Sequence, residues 1–306
     1  MRIVHSRKKV FDKDYAFVNN FTMLVWILSA LKWKQYGNTM VMYTDSETLN
    51  NMKLYGIDTL YDEINTSVLD NEENYKDIDL YCFWAMPKIL AYKHEALELG
   101  NDVVMSDMDV VPMSDISRFW RNCNVAVWSN KEYIEFKSIY PNINELPIPD
   151  GYKFPKWFTG NAKPLNTGII HIKDKKIIET YIDEILKMAT NNHKGKECPN
   201  WVTMCNAEQR TLGELIKYYD LSYQVVQPIN QGLFNRNAFH SHGYKKSLKG
   251  EKKIQFNCNL LMMIRDINSD IYNTLINKEF FTIERNYLIK HNYSVPLVKE
   301  LEQYFK

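Results

Sequence analysis

Two aspartates, one residue apart, follow a short apolar run in the stretch NDVVMSDMDVVPMSDIS, residues 101–117. In an extended chain, residues two apart point to the same side, so Asp107 and Asp109 can converge on one point. Val103, Val104 and Met105 before them read as the end of a buried strand. Ligands of α/β folds gather at the carboxyl edge of such strands. Two hard oxygen donors there suit Mg²⁺ or Mn²⁺, ions commonly shared between protein carboxylates and substrate phosphates. Without a cation, burying both carboxylates is costly unless one takes up a proton. The competing reading is a solvated loop whose aspartates cap the turn toward Pro112 and Asp115.

Three later stretches carry residues of matching chemistry. KPLNTGIIHIKD (163–174) sets Asn166, a donor and acceptor for hydroxyls, beside Gly168, which lets backbone approach a ligand closely. As an isolated tripeptide it reads as a turn. NAEQRTLGEL (206–215) opens what looks like a helix with Glu208 and Gln209, which otherwise read as polar residues of a surface helix's first turn. HSHGYKK (240–246) offers His240 and His242 as imidazole ligands, Gly243 for backbone N–H contact with phosphate and Lys246 as a cation. Its plain alternative is a histidine-rich surface loop.

These groups need a frame. Strand-like and helix-like segments alternate: strands at 2–5, 39–44, 103–106, 125–128, 165–172 and 223–226, and helices at 14–36, 83–99, 177–189 and 206–219. Asp12 or Asp14 would cap the first helix, and Gly37 and Gly100 would stop the first two. Pro87 suits a first helical turn. Alternation of this kind implies an α/β fold, a mixed and mostly parallel sheet with helices on both faces. Residues 129–164 break the rhythm with prolines and aromatics, and 251–306 read as a helical C-terminal extension. The division expected is therefore one domain over 1–250 and the extension over 251–306.

Composition narrows the classes. The chain has 306 residues, with Lys+Arg 38 against Asp+Glu 37, so charge offers no argument for nucleic-acid binding. Five scattered cysteines suggest neither a zinc knuckle nor a disulfide framework, and a reducing compartment is the simpler setting. The most apolar stretch, 21–31, is too short to span a bilayer and reads as a buried helix. With no signal-peptide pattern, a cytoplasmic protein is expected, with the tail free to touch a membrane surface.

The segment LELGNDVVMSDMDVVPMSDIS resembles the metal-binding region of nucleotide-sugar-dependent glycosyltransferases with the GT-A fold, most closely glycosyltransferase family 8. Asn166-Thr167-Gly168 is similar to that family's Asn-x-Gly strand, Glu208-Gln209 to its Asp-Gln pair, and His240-x-x-Gly243-x-x-Lys246 to its C-terminal motif, all in the family's order. Two departures stand out: Glu208 replaces Asp, and Ser247-Leu248 stands where Pro-Trp is usual. The resemblance spans residues 1–250 in outline and implies a GT-A-type, Rossmann-like sheet that takes a nucleotide-sugar donor, usually UDP-linked, and a glycan or other hydroxyl acceptor.

It further implies Mn²⁺ (or Mg²⁺) on Asp107, Asp109 and His240 or His242, with Gly243 and Lys246 on the diphosphate. Lys88 would be a further positive centre. Ser6 and Asp45, with His5 and Thr44, would lie near base and ribose, and Tyr15 would stack on the base. Asn166, Glu208 and Gln209 would face the donor sugar, with Gln209 opposite the leaving group in a retaining reaction. An inverting enzyme would instead need a carboxylate base, for which Asp150 and Glu145 are candidates. Tyr152, Phe154, Trp157 and Phe158 either present rings to an acceptor or cover the core. The rival readings are a catalytically silent GT-A domain that binds a glycan or protein, an Asp-x-Asp phosphatase or phosphotransferase, and a nucleotidyltransferase. The phosphatase would carry its aspartates on the first strand, and the nucleotidyltransferase a glycine-rich loop after it. RIVHSRKK has neither.

Overall fold

Strand β1 (Arg2–Arg7) runs through the middle of a seven-stranded sheet, and its residues alternate between two separate apolar cores. The computed structural model describes residues 1–9, 17, 19–130, 139–192, 200–227, 237–240 and 248–292. The other strands of the sheet are β2 (Thr39–Thr44), β3 (Glu63–Asn65), β4 (Val103–Ser106), β6 (Val125–Ser129), β7 (Asn166–Ile172) and β8 (Tyr223–Gln227). They are ordered β3-β2-β1-β4-β7-β6-β8. Only β7 is antiparallel to its neighbours, so the sheet is mixed and mostly parallel, as the alternation of elements implies.

The period-two alternation of each strand sorts residues by face. Ile3, Met40, Met42 and Val104 join one core with helix α1 (Asn20–Gln35); Val4, Val41, Tyr43, Val103 and Met105 join the other. That second core is closed by α3 (Met86–Tyr92), α4 (Lys175–Ala189) and α6 (Thr211–Tyr218). Helix α2 (Ser46–Tyr55) links β2 to β3. Helices on both faces of a mixed sheet are the α/β architecture expected of a GT-A-type chain.

Helix α1 is apolar nearly all round because it is covered on both sides. The sheet lies beneath it and α7 (Gly250–Ile267) above, where the Phe21 and Phe256 rings are 5.5 Å apart. Helices α8 (Ser269–Ile276) and α9 (Thr282–His291) follow, and the buried Glu284 carboxylate accepts from Asn20 and Asn257. No described helix is long and apolar enough to cross a membrane.

Several expectations need correction. Helix α1 begins at Asn20 with Asn19 as its cap; Asp12 and Asp14 lie outside the described residues. The Asn19 carboxamide already accepts from Phe21 N, which fixes the start there. Glu208 and Gln209 do not open a helix. The helical run starts with α5 (Asn200–Cys205), widens into a π turn at Asn206–Arg210 and continues as α6, so the pair lies mid-helix. Asp107 and Asp109 directly follow the strand expected at 103–106. β4 ends at Ser106, and a turn closed by Val110 N–H to the Asp107 carbonyl leads into β5 (Val110–Pro112).

Candidate active site

The turn at Asp107–Asp109 is placed by two pairings. On one side, Asp107 N–H donates to the Gly168 carbonyl of β7 at 2.7 Å. On the other, β5 leaves the main sheet and pairs antiparallel with β9 (Ala238–His240), which puts Val110 opposite His240. His240 thereby comes to the aspartates. Its Nε2 is 3.2 Å from Asp109 Oδ1, and ligand atoms of Asp107, Asp109 and His240 all lie within 4.8 Å of one another. The imidazole stands edge-on to Trp128, with centroids 5.3 Å apart.

Gly168 makes this approach feasible. A Cβ there would sit 3.1 Å from Asn166 Oδ1 and 3.3 Å from His240 Cε1, closer than ordinary contacts. Its N–H donates to Asn166 Oδ1 at 2.9 Å, which orients the amide at the start of β7. Two carboxylates and an imidazole fit a divalent cation of the Mn²⁺ or Mg²⁺ kind, hard oxygen donors with one borderline nitrogen.

Behind the aspartates lies a buried ion cluster. Lys88 of α3 donates to Asp107 Oδ1 at 3.0 Å and to the Thr167 carbonyl at 3.1 Å, and it meets Glu208 Oε1 at 2.5 Å. Burial works against the ammonium, yet Asp107 and Glu208 hold its pKa above the ordinary lysine value. Burial raises the Glu208 carboxyl above the usual range, with Lys88 pulling the other way. The lysine's charge is thus shared by two carboxylates on the cavity wall.

The opposite wall is tied down by a second buried network. Trp26 Nε1–H donates to Tyr61 Oη at 2.5 Å, and that hydroxyl meets His5 Nδ1 at 2.8 Å. Ser29 Oγ donates to the Val110 carbonyl at 2.5 Å, fastening α1 to the strand that follows Asp109. Burial pushes the His5 pKa down to about 3, against the opposing pull of Asp109. Arg7, at the end of β1, is lowered to about 10 by burial, with Asp45 countering.

These walls enclose a cavity of about 750 Å³ whose lining includes Ser6, Lys88, Asp107, Asp109, Asn166, Gly168, Glu208, Gln209 and His240. The sequence's scattered candidates are therefore brought to one place. Gln209 is held there by Tyr140, whose hydroxyl donates to Oε1 at 2.5 Å. Nothing in the sequence marked Tyr140, Trp26 or Trp84, all single aromatics without a motif.

Other candidates are placed elsewhere or not at all. Asp45 is absent from the cavity wall. Its oxygens accept from Thr48 N–H at the start of α2 and from Lys9 N–H. Glu145 and Asp150 do not line the cavity either. Tyr152, Phe154, Trp157 and Phe158 pack on one another and on the second core, which favours a cover over an acceptor platform. Tyr15, His242, Gly243 and Lys246 lie outside the described residues.

Among solved structures, mouse xyloside xylosyltransferase 1 in its apo form matches at 8% identity and a TM-score of 0.33, over 72% of this chain and 76% of that one. The PaToxG glycosyltransferase matches at 13% identity and a TM-score of 0.31, over 92% of this chain and 86% of that one. No curated protein matches the sequence. The profile of a family of unknown function, DUF6734, matches residues 1–278, and the chain belongs to that family.

Proposed function

We propose that the protein is a metal-dependent glycosyltransferase that moves a sugar from a nucleotide-sugar donor, UDP-linked, to a hydroxyl of a glycan acceptor with retention of configuration. The observation that carries this reading is the convergence of Asp107, Asp109 and His240 on a cavity that also holds Asn166 and Gln209. It accords with the family-8 resemblance of the four motifs. A divalent cation bound there would offset the negative charge that builds on a leaving diphosphate.

In this reading Asp107, Asp109 and His240 hold Mn²⁺ (or Mg²⁺), His240 being the histidine that joins the two aspartates among the described residues. Gly243 and Lys246 take the diphosphate, an assignment that rests on the motif alone. Ser6 and Arg7 at the end of β1 face the nucleoside. Asn166 binds sugar hydroxyls, and Gln209, its amide oriented by Tyr140, stabilises positive charge at the anomeric carbon. Glu208 keeps Lys88 in place behind Asp107.

Retention is what the family-8 resemblance implies. The carboxylates on the cavity wall, among the described residues, are Asp107, Asp109 and Glu208. The first two belong to the metal group and the third is paired with Lys88.

The test is thermal stability with UDP and with GDP, each with and without Mn²⁺, on wild type and Asp109→Ala. A ligand at a hundred times its dissociation constant stabilises by ~2.7 kcal/mol. A Mn²⁺-dependent gain with UDP, lost in the variant, is expected. Gain with neither nucleotide in a folded sample would sink the donor site and leave a silent scaffold.

A further inference from the structure

The aromatic stretch 152–158 packs into the core, so an acceptor needs another surface, and the cavity wall offers one. Trp84 lines the cavity yet remains 42% exposed, a large indole held partly in water at its mouth. A tryptophan this exposed on a cavity wall leaves much of the ring's apolar area unburied.

The turn that carries it is built to hold it still. Cys82 and Phe83 are fully buried, and both of their N–H groups donate to the Asp79 carbonyl, at 3.0 and 2.9 Å. Met86 N–H closes the next turn on the Phe83 carbonyl at 2.9 Å. An aromatic on a fixed turn loses little freedom on binding, which is what makes such a ring an effective contact.

Its place in the site selects the occupant. In the sheet β4 lies between β1 and β7, so the metal group has Ser6 and Arg7 on one flank and Asn166 to Gly168 on the other. Lys88, four residues after Trp84, reaches from α3, which packs chiefly on β1, across to Asp107, Thr167 and Glu208, so this turn stands between the two flanks. A nucleoside on the β1 flank leaves the β7 flank to sugars. A pyranose presents C–H groups on one face and hydroxyls at its rim; the indole suits the face, and Asn166 and Gln209 suit the rim.

Building on the donor reading above, we propose that Trp84 is a stacking platform for the pyranose ring of the acceptor. Its exposure supports acceptor over donor, since a ring stacked at the mouth can be the end of a longer glycan that continues into solvent.

The experiment is saturation-transfer NMR on the full chain with Mn²⁺ and UDP, using methyl glycosides of glucose, galactose, xylose, mannose and N-acetylglucosamine as probes. Wild type, Trp84→Ala, Trp84→Phe and Tyr81→Ala are compared, the last because Tyr81 is exposed on the same turn but off the cavity wall. Expected is transfer to the C–H protons of one face of at least one glycoside, at least about tenfold weaker in Trp84→Ala and retained in Trp84→Phe and Tyr81→Ala. The Mn²⁺-dependent UDP stabilisation should persist in Trp84→Ala. Loss of that stabilisation in folded Trp84→Ala would assign the indole to the nucleotide and overturn the proposal. Absence of transfer to any glycoside in wild type that binds UDP would overturn the platform and spare the donor site. Transfer that depends on Trp84 without any UDP stabilisation would uphold the platform and sink the donor reading.

Discussion

Lys88 shows how the site's ionised residues depend on one another. Its ammonium lies between Asp107 and Glu208, and Glu208 is 2% exposed, so Glu208 without the lysine would be a buried, uncompensated charge. Lys88→Met is expected to destabilise the fold by ~3–5 kcal/mol in urea titrations. Lys88→Met with Glu208→Leu should recover much of that loss, because removing both charges removes the desolvation penalty. If the double variant is no more stable than the single, the pair is not the source of the cost. At the same scale, Gly168 has a local reason to be glycine: any Cβ would press on His240 and Asn166 together.

Among the elements, the helical run from α5 to α6 does more than cover the sheet. Glu214 of α6 accepts from Thr159 N–H, Thr159 Oγ1–H and Ala162 N–H, and the Leu165 N–H donates to the Gln209 carbonyl. The helix therefore anchors the segment that delivers Asn166 to the start of β7. Close approach is needed, and Gly213 provides it: a Cβ there would lie 2.2 Å from the Lys163 carbonyl oxygen. Gly213→Ala should cost ~1–3 kcal/mol through forced separation of helix and segment, measured by urea unfolding. A neutral or stabilising result, as in an exposed helix where alanine is the better former, would show that the contact relaxes freely.

For the whole molecule, acid stability is tied to the buried network at His5. Its pKa is about 3 in the folded chain against 6.5 in the unfolded one. A depressed folded value means stability is complete above pH 6.5 and is lost as pH falls from there toward 3, at ~1.4 kcal/mol per unit. The network joins β1, α1 and β5 across the first core, so this loss should appear in global unfolding. His5→Gln is expected to flatten the slope of urea midpoint against pH between 6.5 and 5 relative to wild type. Parallel slopes in the two proteins would rule out His5 as the acid-sensitive group. Helix α7 shares the same core, lying on α1 with Phe256 against Phe21.

Much of the frame was legible in the sequence because strands and helices write their periods locally. TMVMYT is β2 to the residue, and VVMS is β4, since both are bounded by turn residues and buried on both faces. The start of α1 was less legible: its cap is Asn19, whose amide accepts from Phe21 N–H, and no apolar period marks that residue. Asp107, Asp109, Asn166, Gln209 and His240 stood out as candidates one motif at a time, because residue type and spacing are local properties. Their union was not. Asp109 meets His240 only because β5 leaves the main sheet to pair with β9, 128 residues further along. Lys88 meets Glu208 only because α3 and the π turn pack on the same face of β4 and β7. Pairings between distant segments depend on which surfaces bury each other, and that was decided by the tertiary structure alone.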